Sequence, residues 1–330
     1  MKIFTASKIL LIAPPFFGYA QEISQSLVEL GAVVDYLPDR PFEAPTLKAI
    51  TRLNRNITLP FADKFYLESL ERIRKKDHTH VLIIIGEALS PKLLAHMRAQ
   101  FVGAQLILYM WDSIKNRKSL IENLKFFDRV LTFDIEDARN FGMQFRPLFF
   151  SNGFAPTNIT TDSFDISFIG TAHSDRFKIV NEICSTLGST VNQYLYLYLQ
   201  APWVFYAHKL GNPAFRGAKI SQFKFTPLDK ARVRNVFLNS ASVLDIEHPK
   251  QTGLTMRTFE TLGAQKKLIT TNRAIERYDF YNSNNILVID RDRPSKIPEG
   301  FLKEPYEAID PVLYAKYSVN GWLNDVLNKL

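Results

Sequence analysis

The sequence lacks the features that mark several classes of protein. Its 330 residues include one cysteine, Cys184, so the chain has no disulfide framework. The protein is therefore expected to reside in a reducing compartment. The apolar run from Lys8 to Ala13 stops at two prolines, well short of the roughly 18 residues that a membrane-spanning helix needs. No signal peptide, internal repeat or low-complexity segment is recognisable. A globular protein of the cytoplasm is therefore expected.

The charge is unbalanced in favour of the basic residues. The 41 Lys and Arg against 33 Asp and Glu give a net charge of +8, which favours anionic partners such as phosphates, acidic lipids or nucleic acid. No basic stripe interleaved with stacking aromatic residues is visible, so nucleic acid is not an expected partner. The length suits two domains of roughly 150 residues each.

Short apolar runs alternate with helical stretches in the first half of the chain. This alternation is typical of buried parallel strands and their crossover helices in a doubly wound α/β domain. The predicted strands are Lys8 to Ala13, Val33 to Leu37, Val81 to Ile85, Leu106 to Tyr109 and Arg129 to Phe133. The predicted helices are Gln21 to Leu30, Lys64 to Lys75, Pro91 to Gln100 and Ile114 to Leu124.

A second α/β series follows a segment rich in turn-forming residues. Residues 1–150 are predicted to form one lobe, 151–163 a linker, and 164–310 a second lobe. In such lobes ligands bind beyond the carboxyl ends of the strands. This rule selects two sets of residues, Phe16 to Tyr19, Glu87, Asp112 and Asp134 in the first lobe, and Gly170 to Ser174 and Glu247 to Thr255 in the second.

The most informative stretch is VLDIEHPKQTGLTMRTFETLGAQKKLITTN, from Val243 to Asn272. It predicts a strand, a polar loop containing Thr252 and Gly253, a helix from about Thr255 to Leu262, and another strand. The amino end of a helix can bind a diphosphate through its free N–H groups. Lys250 and Arg257 would add positive charge there.

Glu260 lies on the same predicted helix. Its carboxylate can accept two hydrogen bonds from a ribose diol, or it can form a surface ion pair with Arg257, three residues earlier. Spacing alone leaves both interpretations open.

Together with FDISFIGTAHSDR at Phe164 to Arg176, this stretch resembles the donor-binding lobe of CgeB-like glycosyltransferases of bacterial polysaccharide biosynthesis. The resemblance implies the GT-B architecture, in which two Rossmann-like lobes face an interdomain cleft. It also implies that residues 1–150 bind the acceptor and residues 164–310 bind the donor nucleotide. It implies a hexosyltransferase-type enzyme that takes a nucleotide-sugar donor and a glycan or lipid-linked acceptor, in capsule or lipopolysaccharide synthesis. The final segment, residues 311–330, would be a helix that crosses back to the first lobe.

Many GT-B enzymes carry a Glu-x7-Glu pattern on this helix. Glu260 matches the second glutamate, which binds ribose, whereas Thr252 occupies the first position. Glu247 can replace the missing carboxylate if the loop folds back. His248 and Pro249 resemble the His-Pro pair of sialyltransferases that use CMP-activated sugars, and a plain loop histidine is the alternative.

Other residues are candidates for phosphate contact and proton transfer. His173, after the turn at Gly170, can meet a phosphate or cap the next helix, for which Ser174 is the better candidate. An inverting transferase needs a general base, for which Asp112, beside Trp111, is the first candidate and Glu87 the second. The alternatives are a helix cap for Asp112 and a loop position for Glu87.

No metal and no cofactor are expected, because helix termini and basic side chains neutralise the diphosphate in GT-B enzymes. The carboxylates of Asp290-Arg291-Asp292 have metal-ligand spacing, but a solvated turn is the preferred interpretation. The basic run Arg72 to Lys76 is either a solvated helix end or a point of peripheral contact with the inner membrane. The aromatic stretch Tyr194 to Tyr206 can lie in the core, at an interface or against a membrane. A sugar-nucleotide 2-epimerase and a non-enzymatic nucleic-acid-binding protein are the competing functions.

Overall fold

The computed structural model describes residues 3–42, 55–73, 77–156, 162–249, 252–294 and 296–328, which form two compact units. The first unit comprises residues 1–148 and 319–330, and the second comprises residues 149–318. Each unit contains one parallel sheet of six strands. The α/β fold class is therefore confirmed, with a Rossmann-like sheet in each unit.

In the first unit the strand order is β2-β1-β3-β4-β5-β6. The strands are β1 (Lys8–Ala13), β2 (Val33–Pro38), β3 (His80–Ile84), β4 (Gln105–Met110), β5 (Arg129–Thr132) and β6 (Gln144–Phe145). The helices are α1 (Tyr19–Glu29), α2 (Leu59–Arg72), α3 (Pro91–Gln100) and α4 (Ile135–Phe141).

In the second unit the order is β12-β11-β10-β7-β8-β9. The strands are β7 (Phe164–Thr171), β8 (Gln193–Tyr198), β9 (Phe223–Lys224), β10 (Ser240–Asp245), β11 (Lys267–Thr270) and β12 (Ile286–Val288). The helices are α5 (Arg176–Ser185), α6 (Pro202–Gly211), α7 (Lys230–Leu238), α8 (Met256–Gly263), α9 (Glu299–Lys303) and α10 (Pro311–Lys316). The last helix of the chain, α11 (Val319–Leu327), belongs to the first unit.

In the first unit the central strands β1, β3 and β4 are almost entirely apolar because helices cover both faces of a parallel sheet. In β1 every residue from Ile9 to Ala13 is buried, and β3 and β4 are buried in the same way. Local signals fix the helix ends. Ser90 accepts a hydrogen bond at 3.0 Å from the N–H of Leu93, so its hydroxyl caps α3 as its position before Pro91 suggests.

Two predicted helices have a different form. Residues 114–124 form two 3-10 segments, Ile114–Asn116 and Lys118–Phe126, and the first is capped by Ser113 rather than by Asp112. The predicted helix over 311–330 is two helices, since Tyr317 and Ser318 interrupt it. Their N–H groups bond to Tyr314 and Ala315 in tight turns, and the Tyr317 carbonyl accepts from the N–H of Phe150 in the same unit.

Helix α11 is held in the first unit by aromatic packing and by charge. Trp322 is fully buried, with its ring centroid 4.8 Å from that of Tyr109 in an edge-to-face contact. The Arg129 guanidinium donates to the carbonyls of Val326 and Asn328, each at 2.8 Å. A cation is favourable at this end of a helix, because the last carbonyls lack partners inside the helix.

Some predicted features lie outside the described residues. These are Lys250, the basic residues 74–76 and part of the predicted linker, residues 157–161. Within the ranges that the structure does describe, no helix has both the length and the apolar character needed to cross a bilayer.

Candidate functional site

The carboxyl end of β10 carries a buried aspartate that organises the loop and helix after it. Asp245 is 1% exposed, and its Oδ2 accepts hydrogen bonds from the hydroxyls of Thr255 at 2.6 Å and Thr258 at 2.8 Å. Thr255 Oγ1 in turn accepts from the N–H of Thr258 at 3.3 Å, which caps α8. A buried carboxylate needs such partners, so Asp245 fixes the start of this helix.

Arg257 is the third partner of Asp245. Its Nη1 donates to Asp245 Oδ1 at 2.7 Å, and its guanidinium carbon lies 5.6 Å from the ring centroid of Phe168 on β7. A Cβ at Gly170 would lie 3.0 Å from Phe168 Cζ and 3.1 Å from Arg257 Nη2, so glycine leaves room for both the ring and the guanidinium at the end of β7. Glu260, the alternative partner considered for Arg257, is only 6% exposed, so a pair between them would not lie on the surface.

A second ionic cluster ties three strand ends together around Arg291. This residue follows β12, and its guanidinium donates to both carboxylate oxygens of Asp175, at 2.9 and 2.8 Å, and to Glu247 Oε1 at 2.6 Å. Glu247 is 7% exposed and also accepts from the hydroxyl of Thr271. Burial raises the pKa of Glu247, so its carboxylate depends on these partners.

The interpretation of Asp290-Arg291-Asp292 as a solvated turn is therefore wrong for its middle residue. Asp290 does cap a turn, accepting from the N–H groups of Asp292 and Arg293 at 2.9 and 3.0 Å. Arg291 points inward to the carboxylates. A single arginine between two acidic residues gives no periodic signal, and only the strand-end rule applied to β12 would have selected it.

Arg176 is a further residue that the sequence did not single out. It opens α5, is 7% exposed, and donates from Nη1 to the carbonyl of Thr171 at 2.9 Å. Its buried Nε finds no hydrogen-bond partner in the described part of the chain. Burial and then the charge of Arg257 lower the pKa of Arg176 to about 10. Two guanidinium groups close enough to repel each other favour an anion beside them.

Two predicted histidines lie side by side at this edge. The ring centroids of His173 and His248 are 5.2 Å apart. Burial, followed by the charge of Arg176, lowers the pKa of His173 to about 4, so this ring is neutral at pH 7. Ser174 adopts a left-handed φ of 55° and donates to the His173 carbonyl, so the helix cap predicted for it is wrong and Asp175 holds that position.

The loop before α8 is secured from the neighbouring strand. Asn272, just after β11, is 8% exposed, and its Nδ2 lies 3.5 Å from the carbonyl oxygen of Thr252 and 3.4 Å from that of Gly253. Thr252 is exposed and Gly253 is buried. The structure thus places the described donor-site candidates on the ends of β7 and β10, on the loop after β10 and on α8.

In the first unit the strand ends carry strained backbone. After β1, Phe17 and Gly18 have φ of 49° and 73°, and after β3, Ile85 and Gly86 have φ of 71° and 74°. A left-handed φ is costly for a β-branched residue such as Ile85. This sharp turn brings the next residue, Glu87, back over the carboxyl edge of the sheet.

Glu87 and Asp112, the two predicted catalytic residues, are joined by one arginine. Arg117 pairs with Glu87 Oε1 through Nη1 and donates from Nε to Asp112 Oδ2 at 2.9 Å. Glu87 is 5% exposed and has a second partner, Arg40, at 3.3 Å. The side chain of Asp112 is 28% exposed, so it is the more accessible of the two.

Asp39 completes this cluster, although it was not among the residues predicted from the sequence. It directly follows β2, is 1% exposed, and accepts from the N–H of Glu87 at 2.9 Å, whereas its Oδ2 has no hydrogen-bond partner in the described part of the chain. Burial and then the charge of Glu87 raise its pKa to about 7. The strand-end rule would have found Asp39 if it had been applied to β2.

Aromatic rings border these carboxylates. The centroid of Trp111 lies 5.5 Å from that of Phe16 and 5.5 Å from that of Tyr19, while Phe17 is 77% exposed. Tyr19 is buried, whereas Phe16 and Trp111 are half-buried and Phe17 is exposed, so the last three rings offer an aromatic surface next to Asp112 on which a sugar ring can stack. Among the residues that the structure describes, no three His, Cys, Asp or Glu side chains lie close enough together to bind a metal ion.

Neither a family model nor a curated protein sequence matches the chain. Solved structures do match it over nearly its whole length. A glycosyltransferase from Rickettsia africae ESF-5 is similar with a TM-score of 0.62 and 13% identity, covering 98% of this chain and 99% of that one.

Two further structures have comparable similarity. HepE of Anabaena in complex with UDP and glucose has a TM-score of 0.59 and 11% identity, covering 98% of this chain and 100% of that one. An α,α-trehalose-phosphate synthase (UDP-forming) from Burkholderia xenovorans, bound to glucose-6-phosphate, has a TM-score of 0.60 and 10% identity, covering 96% and 98%. The chain therefore has the GT-B fold.

Proposed function

We propose that this chain is a glycosyltransferase of the CgeB-like kind, which transfers a hexose from a nucleotide-sugar donor to a glycan or lipid-linked acceptor during synthesis of a bacterial surface polysaccharide. The second unit would bind the donor and the first unit the acceptor. The observation that carries the proposal is the buried Asp245, which fixes both the start of α8 and the guanidinium of Arg257 beside Gly170.

This arrangement suits the diphosphate of a nucleotide sugar. Arg257 and Arg176 place positive charge at the end of β7, and the amino end of α8 adds the positive end of its helix dipole. Charge-assisted hydrogen bonds from guanidinium to phosphate are about twice as strong as neutral ones. These groups can neutralise the diphosphate without a metal ion, so the proposed reaction is independent of divalent cations.

Glu260 is the proposed ligand of the ribose. It lies on α8, one turn beyond Arg257, and is almost completely buried. A buried carboxylate there can accept both hydroxyls of a ribose diol. Glu247 is already bound to Arg291 and Thr271, so we propose that it shapes the site through Arg291 rather than contacting the donor sugar.

The names of two similar structures suggest which donor to test first. HepE was solved with UDP and glucose, and the trehalose-phosphate synthase is described as UDP-forming. UDP is therefore the first nucleotide to titrate, followed by GDP, dTDP and CMP. CMP is included because His248-Pro249 resembles the His-Pro pair of enzymes that use CMP-activated sugars. His248 also lies next to His173, at the same edge of the sheet as Arg257.

For an inverting reaction we propose Asp112 as the general base. Its carboxylate would take the proton of the acceptor hydroxyl while the oxygen bonds to the anomeric carbon and the bond to the leaving nucleoside diphosphate breaks. Asp112 is the most exposed of the three clustered carboxylates, and Trp111 beside it would stack on the acceptor sugar. Glu87 and Asp39 would position it through Arg117.

Calorimetric titration of nucleotides into the full chain tests this proposal. Glu260→Ala should weaken nucleotide binding by about ten- to hundredfold, since it removes a hydrogen-bonding charge worth about 1.5 to 3 kcal/mol. Arg257→Ala should weaken the diphosphate more than the nucleoside, and added salt should reduce the affinity further. Transfer measured as release of nucleoside diphosphate should survive EDTA.

Two exposed residues of the same unit provide matched controls. Glu276→Ala and Arg273→Ala remove the same charges at positions outside the proposed site, and both should bind nucleotide like the parent protein. The donor assignment is wrong if no nucleotide binds, or if folded Glu260→Ala binds as tightly as these controls.

A further inference from the structure

Helix α6 exposes an apolar stripe that the proposed nucleotide site does not use. Trp203, Tyr206 and Leu210 are 70%, 55% and 91% exposed. They follow one another at i, i+3 and i+7, so they lie on one face of the ten-residue helix. Large apolar side chains that cluster on one exposed face mark an interaction surface.

The opposite face of α6 anchors the helix firmly to the second unit. Phe205 is 2% exposed and packs on Phe223, with ring centroids 5.3 Å apart. His208 stacks on Phe215 at 4.7 Å, and Lys209 Nζ donates to the carbonyl of Ala218 at 3.1 Å. The exposed stripe therefore belongs to a fixed helix and cannot turn inward without unpacking these rings.

The stretch of sequence that contains the stripe carries charge of one sign. From residue 183 to residue 228 the sequence contains no Asp or Glu, and it contains Lys209, Arg216, Lys219 and Lys224. The last three are exposed, and Ile220 beside them is 38% exposed. The nearest acidic residues along the chain are Glu182, just before this stretch, and Asp229, just after it.

We infer that the face of α6 with Arg216, Lys219 and Lys224 is a docking surface for an anionic lipid bilayer. Trp and Tyr are favoured at the boundary between headgroups and acyl chains, where an amphipathic helix can lie in the plane of the bilayer. The basic side chains would pair with anionic headgroups, each adding a small attraction that salt screens. A membrane partner accounts for both the missing carboxylates and the exposed tryptophan.

This surface shares no residue with the nucleotide site, and the second unit carries both. A transferase docked through it would meet a lipid-linked acceptor at the same bilayer, a consequence that rests on the proposed function. The docking itself does not depend on it. Lipid binding and nucleotide binding can therefore be measured separately on the same protein.

Flotation of the full chain with vesicles tests the inference. One vesicle is phosphatidylcholine alone and the other has about one third phosphatidylglycerol. The protein should float with the anionic vesicles and much less with the neutral ones, and Trp203 fluorescence should shift to the blue on binding. Trp203→Ser should lower the partition coefficient about tenfold and abolish the shift. The pair Arg216→Gln/Lys219→Gln should lower it by a similar factor.

Matched controls come from exposed residues elsewhere. Phe61→Ser removes an aromatic side chain that is 69% exposed, and Lys64→Gln/Lys118→Gln removes two exposed charges. Both should float like the parent, and Trp203→Ser should bind UDP, without vesicles, as the parent does. The inference is overturned if the parent ignores anionic vesicles, if Trp203→Ser floats like Phe61→Ser, or if Trp203→Ser dissociates a dimer in solution, since a second copy would then cover the stripe.

Discussion

Replacing Asp39 by asparagine should change how the stability of the first unit depends on pH. The carboxyl of Asp39 is buried next to Glu87, and its pKa rises from 3.8 to about 7 in the folded protein. Between these two values the folded state binds more protons than the unfolded state, so the free energy of unfolding falls as the pH rises. Above pH 7 the loss is complete and amounts to about 4 kcal/mol at most.

Asparagine is the neutral counterpart of the protonated carboxyl. Its Oδ1 can still accept the hydrogen bond from the N–H of Glu87. The variant should therefore match the parent near pH 4 and exceed its unfolding free energy increasingly towards pH 8. The gain should approach the same few kcal/mol, since both proteins bury a neutral group at low pH and only the parent buries an added charge at high pH.

Urea unfolding followed by tryptophan fluorescence measures this difference. The chain has three Trp, and in a Trp203→Phe background the remaining two, Trp111 and Trp322, both report on the first unit. Glu68→Gln, which removes an exposed carboxylate 4.0 Å from Lys64, is the control and should change stability by less than about 1 kcal/mol. Parallel stability curves for Asp39→Asn and the parent from pH 4 to pH 8 would refute the reasoning.

Three other changes have outcomes that the structure predicts. Asp175→Asn should destabilise the second unit at pH 7 and lose its effect in acid. Burial raises the pKa of Asp175, but Arg291 and the hydrogen bonds from the Asp175 N–H and from Ser174 together lower it by more, so the stabilisation disappears as the pH falls through the lowered pKa. Urea unfolding at pH 7 and pH 3 checks this, and equal effects at both would contradict it. Trp322→Ala should cost the first unit about 3 to 5 kcal/mol by urea titration, and a loss below about 1 kcal/mol would mean that α11 adds little. Gly170→Ala should displace Arg257 and weaken UDP binding about tenfold, and it should also destabilise the second unit by about 1 to 3 kcal/mol because the new Cβ crowds the buried ring of Phe168. Calorimetry of the folded variant showing unaltered affinity would remove this contact from the site.

Periodicity predicted the long elements of the fold well and the short ones poorly. Strand β1 occupies the predicted residues, and α3 begins at Pro91 and ends at Gln100 as expected, because a buried apolar run and a Ser-Pro start are local signals. The strands β6 and β9 are two residues each, too short for any alternation to register. The break at Tyr317 depends on a hydrogen bond from Phe150, which is distant in sequence and has no local signature.

The candidate site was likewise predicted only in part. Position after a strand selected Glu87, Asp112 and Glu247, and all three lie at sheet edges in the structure. What each carboxylate contacts could not be read from the sequence, because the arginines that bind them, Arg117 and Arg291, lie between 5 and 44 positions away along the chain. The chemical character of a buried acid is set by such partners, so the individual roles remain predictions.

The return of α11 to the first unit constrains the order in which the chain can fold during synthesis. Residues 149–318 are contiguous, so the second unit can complete its core as soon as they have left the ribosome. The first unit begins earlier but ends later, because β4 keeps an uncovered apolar flank at Tyr109 until Trp322 arrives. A nascent chain that stops short of α11 would therefore contain a folded second unit and an incompletely folded first unit with exposed apolar surface. A chaperone would have to protect this state from aggregation.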